Sequence, residues 1–335
     1  MRILSFGPRN WEADYLKGRL VGQELTSLFG TVQDHKNIGD DDVEAISFFV
    51  DSTFGREEME RFPKLRLIAT RSTGYDHIDV ALAKEREIAI ATVPSYGENT
   101  VAEYTFALLL AISRRIYETA DRIRETGSFS QDGLMGFDLA GKTLGVVGGG
   151  RIGMNVIKIA NGFGMDVIVY DLHHNEQVAN EQGFRYTELD ELLGSSDVIT
   201  LHAPYNEHTH HMLNMENVTR IKRGAVLINT ARGGLIETAA LVKGLEDGNL
   251  YGAGLDVLEE ENYMKHEENL LTEAHPNPIA LKNVLSNHYL IDHPNVIITP
   301  HNAFHTREAI TRIIDTTASN IIAFAANKPE NLISV

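Results

Sequence analysis

The order of apolar and polar residues predicts an α/β fold built on parallel sheets. Three observations carry that reading. Short apolar runs alternate with amphipathic stretches along the chain, the mark of repeated strand–helix units. One run is followed by glycines in G-x-G-x-x-G spacing. Several others end directly on polar residues with chemical uses.

With 335 residues the chain is too long for one comfortable core and suits two domains. Early strands are expected at "RILSF" (2–6), "ISFFV" (46–50), "LRLIAT" (65–70) and "IAIATV" (88–93). A long helix is expected from Thr100, where "TVAE" has the form of a capping box ending on Glu103. Val101, Tyr104, Thr105, Leu108, Leu109 and Ile112 then fall on one helical face. "GSFSQDGLMG" (127–136) is a break. Later strands are expected at 143–148, 166–171, 197–202, 225–229, 251–257 and 295–300, and a closing helix at "TREAITRIIDTTASNIIAF". One domain is therefore expected over 1–99 and 301–335, and the other over 100–300.

Composition narrows the function. The chain is 43% hydrophobic and 23% charged, as globular proteins are. It has no apolar stretch of about 20 residues, so no membrane partner is expected. The start "MRILSFGPRN" has no apolar leader core, and with no cysteine an intracellular, cytoplasmic place fits. The missing cysteines exclude disulfides, thiolate metal sites and a cysteine nucleophile. The formal net charge of −17 argues against nucleic acid as a partner and would repel small anions at long range. An anionic substrate would need local arginines.

The sharpest local signal is "TLGVVGGGRIGMNVIKIANGFGMDVIVYD". Gly148, Gly150 and Gly153 follow an apolar run and open a helical stretch, and Asp171 lies 18 residues beyond Gly153 at the end of the next run. That is a complete βαβ dinucleotide fingerprint. Gly148 makes the tight turn, Gly150 lets a pyrophosphate approach the backbone, and Gly153 lets helix and sheet pack. The phosphates meet the free N–H groups of the helix start, where Arg151 can add a charge-assisted bond. Asp171 would accept hydrogen bonds from the ribose hydroxyls and repel a 2′-phosphate. No arginine follows it, so NAD is expected rather than NADP.

Ligands of open α/β sheets bind at the carboxyl ends of strands. "AVLINTARGG" places Arg232 there, "NVIITPHNAF" places His301 there, and "YGAGLDVLEEE" places Glu259, Glu260 and Glu261 there. Together, beside a dinucleotide, an arginine, a carboxylate and a histidine suit hydride transfer to a carbonyl. The guanidinium would hold a substrate carboxylate and polarise the carbonyl. The histidine would give the proton that hydride addition demands. A carboxylate on the other ring nitrogen would fix the tautomer and favour the imidazolium. On an extended segment Glu259 and Glu261 share a side, and physics alone leaves both open.

The chain resembles the D-isomer-specific 2-hydroxyacid dehydrogenases over nearly its whole length. The resemblance rests on "RSTGYDHID" (71–79), "NTVAE" (99–103), "GVVGGGRIG" (145–153), "NTARGGLIE" (229–237), "AGLDV" (253–257) and "TPHNAF" (299–304). It implies two Rossmann/flavodoxin-like doubly wound domains with the active site in the cleft, and a homodimer through the helix near 100–115. It implies Arg232, Glu261 and His301 as catalytic residues, with Glu259 and Glu260 as solvated neighbours. It implies that Ile152, the His202–Ala203–Pro204 turn, Thr209, Thr230, Ala231 and Asp256 lie near the cofactor. It implies that the backbone at Thr73–Gly74 binds the substrate carboxylate.

Details point to the D-lactate dehydrogenase branch. Tyr96, in "PSYGENTVAE", and Phe304 would wall a small pocket suited to a methyl side chain, as in pyruvate. Many members carry proline directly after the catalytic glutamate, where this chain has Asn262, and Asn302 stands where threonine is usual. Longer 2-ketoacids, hydroxypyruvate and glyoxylate are the competing substrates. A reading of another class is an NAD(H)-sensing, corepressor-like binding protein, against which the Arg–Glu–His set argues. His208, His210 and His211 could suggest a metal, but histidines so placed in a loop are expected to be solvated, and this chemistry needs no metal.

Overall fold

The computed structural model describes residues 1–261, 264 and 277–333. The chain divides into a smaller unit, Met1–Tyr96 with His305–Val335, and a larger unit, Gly97–Phe304. Each is a parallel sheet covered by helices.

The smaller unit holds β1 (Arg2–Phe6), α1 (Asn10–Arg19), β2 (Glu24–Leu28), β3 (Ala45–Phe48), α2 (Arg56–Glu60), β4 (Leu67–Thr70), α3 (Val80–Glu85) and β5 (Ala89–Ala91). The larger unit adds α4 (Glu98–Ser113), α5 (Ile116–Thr126), β6 (Thr143–Val147), α6 (Arg151–Gly162), β7 (Asp166–Tyr170), α7 (Glu176–Gln182), β8 (Arg185–Tyr186) and α8 (Leu189–Ser195). It continues with β9 (Val198–Leu201), β10 (Ala225–Asn229), α9 (Thr238–Glu246), β11 (Leu250–Leu255), α10 (Pro278–Asp292) and β12 (Val296–Ile298). Helix α11 (Arg307–Ala325) returns to the smaller unit.

The smaller sheet runs β2-β1-β3-β4-β5 and the larger runs β12-β11-β10-β9-β6-β7-β8. Every pairing is parallel. Both orders are doubly wound: the first strand of each unit is interior, and the chain reverses direction around it. Period-2 alternation explains why both faces are apolar. In β10, Ala225 and Leu227 face one core, and Val226 and Ile228 face the other. In β4, Leu67 and Ala69 face the core under α1 and α11, and Ile68 faces the opposite one.

Two strands lie outside the expected set. β2, "ELTSL", is a half-exposed edge strand without an apolar run, and β8 has only two residues. The first has its partner registered by β1 and not by its own composition. Helix α4 begins at Glu98, two residues before the expected start, with Gly97 as its cap. Thr100 is buried within it, and Asn99 Nδ2 donates to Glu103 Oε1 at 3.1 Å. The expected side-chain cap is not made; Glu98, an acid in the first turn, suits the helix N-terminus instead.

The expected division at 300/301 also shifts. The turn after β12 stays with the larger unit because its N–H groups bond to Asp256, as described below. In the smaller unit, α11 starts at a true cap, with Thr306 accepting from Ala309 N. It is then tied to the sheet by one buried amide. Asn320 Nδ2 donates to Thr92 O at 2.8 Å, and Asn320 Oδ1 accepts from Asn331 Nδ2 at 2.8 Å.

Replacing that amide should be costly, because the buried Thr92 carbonyl loses its donor in a dry place. Asn320→Ala is expected to lower the unfolding free energy by about 1–3 kcal/mol. Urea unfolding measures it, and an unchanged midpoint would mean that the amide carries no net stability.

Candidate active site

The sheet order builds the site before any side chain is considered. β6 and β9 flank the point where the larger sheet reverses. The glycine loop leaves β6 there, and the His202–Pro204 turn leaves β9. The two are in contact: a Cβ on Gly148 would lie 2.7 Å from His202 C and 2.8 Å from Ala203 N. Gly148 also has φ +98°, so glycine is required twice over. A Cβ on Gly153 would lie 2.1 Å from Gly148 O, which confirms helix–strand proximity as the reason for that glycine.

Gly150 caps α6 with open space where a side chain would stand, and among the described residues no side chain caps the helix start. The first N–H groups of α6 face an open hollow of about 630 Å³, lined by Glu98, Gly149, Gly150, Arg151 and Met154 among others. Such a start is built for a pyrophosphate. Arg151 stands at its rim, 69% exposed and 3.8 Å from Glu98. Ile152 packs against the core beneath.

Asp171 is positioned by the same loop. Its Oδ2 accepts from Gly149 N at 2.7 Å, and its Oδ1 accepts from His173 N at 2.8 Å. The residues thus fit a dinucleotide at both its phosphates and its ribose.

His202 is half-buried, with its Nδ1 shielded from solvent, and it is held neutral. Burial pushes its imidazole down to about 3. Its Nε2 meets Thr200 Oγ1 at 2.9 Å, and its Nδ1 has no hydrogen-bond partner among the described residues. What the turn presents outward is therefore backbone. Thr209 closes that turn, donating from Oγ1 to Pro204 O at 2.6 Å, and Ala203 packs on the core.

β10, β11 and β12 are neighbours, and each ends on a candidate residue. After β10, Thr230 is buried with its Oγ1 3.1 Å from Thr105 Oγ1 of α4. Asn229 folds the next turn, its Oδ1 accepting from Ala231 N at 3.0 Å and its Nδ2 donating to Arg232 O at 2.9 Å. Arg232 Nη1 donates to Ala231 O at 2.8 Å.

After β11, Asp256 is buried and serves the turn after β12. It accepts from Thr299 Oγ1 at 2.5 Å, Asn302 N at 2.8 Å and Ala303 N at 2.7 Å, and its backbone O accepts from His301 N at 2.8 Å. Burial pushes its carboxyl above the usual range, against those donors and the nearby His301. His301 has φ +52°. The turn that carries this left-handed residue makes four bonds to one aspartate, one of them from His301 N, and the His301 Nδ1 then meets Glu261 Oε2 at 3.2 Å and Oε1 at 3.3 Å. The structure brings Glu261 and His301 together from segments 40 residues apart.

Glu259 corrects an expectation. It is not a solvated neighbour, for its carboxylate accepts from Thr238 N at 3.1 Å, Thr238 Oγ1 at 2.7 Å and His211 Nε2 at 2.5 Å. His211, expected to be solvated, is bound there as well. The sequence signal that could have found Glu259 is weak: an acid near a helix start, from a segment 21 residues away. Glu260, the third acid, has φ +57°.

Phe304 ends the larger unit and is half-buried. In the smaller unit, Thr73 Oγ1 donates to Val93 O at 2.7 Å, Gly74 O accepts from Ser72 Oγ at 2.6 Å, and Tyr96 O accepts from Arg312 Nε at 2.6 Å. Asn262 lies outside the described residues.

The neutral His202 has a measurable consequence. The unfolded chain protonates it below pH 6.5, and the folded chain resists until about pH 3, so its stability is full above 6.5 and falls on acidification. From pH 7 to pH 5 the wild-type chain should lose about 2 kcal/mol more than His202→Gln, read by denaturant unfolding. Parallel losses would mean that His202 is protonated in the fold.

Similarity to known proteins agrees with this geometry. Residues 106–303 match the family model described as "D-isomer specific 2-hydroxyacid dehydrogenase, NAD binding domain". A 2-hydroxyacid dehydrogenase homolog of Zymomonas mobilis is 36% identical, covering 98% of both chains. An aromatic 2-oxoacid reductase of Clostridium sporogenes is 36% identical, covering 97% of this chain and 96% of that one. The crystal structure of D-lactate dehydrogenase from Aquifex aeolicus, complexed with NAD and lactic acid, superposes with a TM-score of 0.87, at 36% identity and 99% coverage of both chains. With the glycine loop and Asp171 at one strand pair and Arg232, Glu261 and His301 at the next three strand ends, the chain belongs to the NAD-dependent D-isomer-specific 2-hydroxyacid dehydrogenases.

Proposed function

We propose that this enzyme reduces pyruvate to D-lactate. The observation that carries the reading is the Glu261–His301 pair standing at a strand end beside the Arg232 turn. Bound NADH supplies the hydride. Arg232 takes the substrate carboxylate and polarises the carbonyl. Glu261, an acceptor only, keeps a proton on His301 Nδ1, so the proton that leaves does so from Nε2. His301 therefore acts as acid in reduction and as base in the reverse direction. The local arginine answers the long-range repulsion that the chain's charge of −17 exerts on an anionic substrate.

Pyruvate is favoured over larger 2-ketoacids by the bulk of Tyr96 and Phe304 in the sequence, and by likeness to a protein solved with lactic acid. The competing substrate class is an aromatic 2-oxoacid, supported by the Clostridium sporogenes relative. A homodimer in the cytoplasm belongs to the same reading. In support of the dimer, Ile116, Tyr117, Ile123, Phe129 and Met135 expose apolar surface on and after α5. No helix among the described residues is long and apolar enough to cross a membrane.

The test is NADH oxidation against a panel of 2-ketoacids, with chiral analysis of the product. Fastest turnover of pyruvate to D-lactate is expected, and faster turnover of phenylpyruvate would transfer the assignment to the aromatic class. His301→Gln should lower kcat by about 10²- to 10⁴-fold with NADH binding retained, and normal turnover would remove His301 as the acid. Asp171→Ala should raise the NADPH/NADH ratio of kcat/KM by about tenfold or more, since a charged acceptor is lost and the repulsion of a 2′-phosphate goes with it. An unchanged ratio would contradict the ribose assignment.

A further inference from the structure

The glutamate beside the Glu261–His301 pair is less exposed than Glu261 itself. Glu259 is 14% exposed at its side chain, against 25% for Glu261. Its carboxylate takes two bonds from Thr238, the first residue of α9, and one from His211. Burial works against its charge, but those donors outweigh burial and hold the carboxyl below its usual range. Its backbone O accepts from Asn287 Nδ2 of α10 at 3.1 Å. The peptide leading into it lies against Gly233, the residue directly after Arg232. A Cβ on Gly233 would stand 2.0 Å from Leu258 C and 2.4 Å from Glu259 N. One residue later Glu260 turns left-handed, and the next side chain is Glu261 on His301.

A left-handed non-glycine residue persists only where its surroundings over-determine it. Here the surroundings are the Glu259 anchors. The Arg232 turn is packed against the same peptide.

We propose that Glu259 is a positioning residue, which fixes the register of the Leu258–Glu261 segment so that Glu261 reaches His301 Nδ1 while the Arg232 turn stays seated on the same peptide. The inference rests on the functional reading above for its kinetic consequence. It differs from a plain helix-capping role for Glu259, which would change stability and leave turnover alone.

The experiment compares Glu259→Ala, Glu259→Gln, Glu261→Gln and the double variant Glu259→Ala/Glu261→Gln in the full chain. Glu259→Ala should lower kcat roughly 10- to 100-fold, the effect of a small misplacement, with KM for the ketoacid and NADH within about threefold. Glu259→Gln keeps an oxygen for Thr238 and should recover to within about fivefold of wild type. The double variant should be no slower than Glu261→Gln, because Glu259 acts through Glu261. Wild-type kcat in Glu259→Ala, or a further independent loss in the double variant, overturns the proposal. Should Glu259→Ala fail to fold, Thr238→Ala and His211→Ala each remove one side-chain donor. Both should lower kcat in the same pattern at smaller amplitude, and unchanged kcat in both overturns it.

A second readout needs no turnover. The His301 imidazole ¹³Cε1 resonance, identified by its loss in His301→Gln, should move in Glu259→Ala towards its place in Glu261→Gln. A resonance that stays put overturns the positioning role. A wild-type chain that turned over no 2-ketoacid would remove the functional reading, and the resonance would still judge the inference.

Discussion

One buried carboxylate organises the strand ends of the larger unit. Asp256 ends the strand next to β12 and takes three donors from the turn that follows β12, while its own carbonyl takes the His301 N–H. That arrangement holds His301 in a left-handed conformation that a histidine does not adopt freely. Bond the turn elsewhere and the imidazole no longer faces Glu261. The pair is thus a consequence of two strands being neighbours and of one side chain crossing between their ends. Asp256 is itself costly to bury, and its raised carboxyl range reflects that cost.

The cofactor end of the sheet obeys a steric constraint in place of an electrostatic one. Gly148 has the loop after β6 on one side and the turn after β9 on the other, with no room for a Cβ between them. Asp171 then ties the loop from the next strand by accepting from Gly149 N. His202 stays neutral beside this junction, where its backbone meets Gly148. Rigid backbone and one fixed acid suit a ligand recognised by its pyrophosphate and ribose hydroxyls.

Neighbouring acids in one run do unlike work. Glu259 is locked to Thr238 and His211, Glu260 supplies a left-handed turn, and Glu261 meets the imidazole. Composition does not distinguish them, since all three are glutamates at the end of one strand. Their environments do: Thr238 and His211 reach Glu259, and His301 reaches Glu261.

Signals that act within a few residues were open to reading from the chain itself. The parallel α/β class, most strands, the glycine fingerprint with Asp171, and the strand-end placement of Arg232 and His301 all follow from local apolar runs and fixed spacings. Their periods are set by backbone geometry, which every sequence shares. Other features depend on partners far along the chain. β2 exists because β1 accepts it as an edge. Glu259 is held because His211, 48 residues earlier, and Thr238, 21 residues earlier, converge on it. Hydrogen bonds across such separations leave no periodic trace, because the chain brings their ends together only after the sheet order exists. Residue types and strand ends were thus set by the sequence, and the fold assigned each carboxylate its partner.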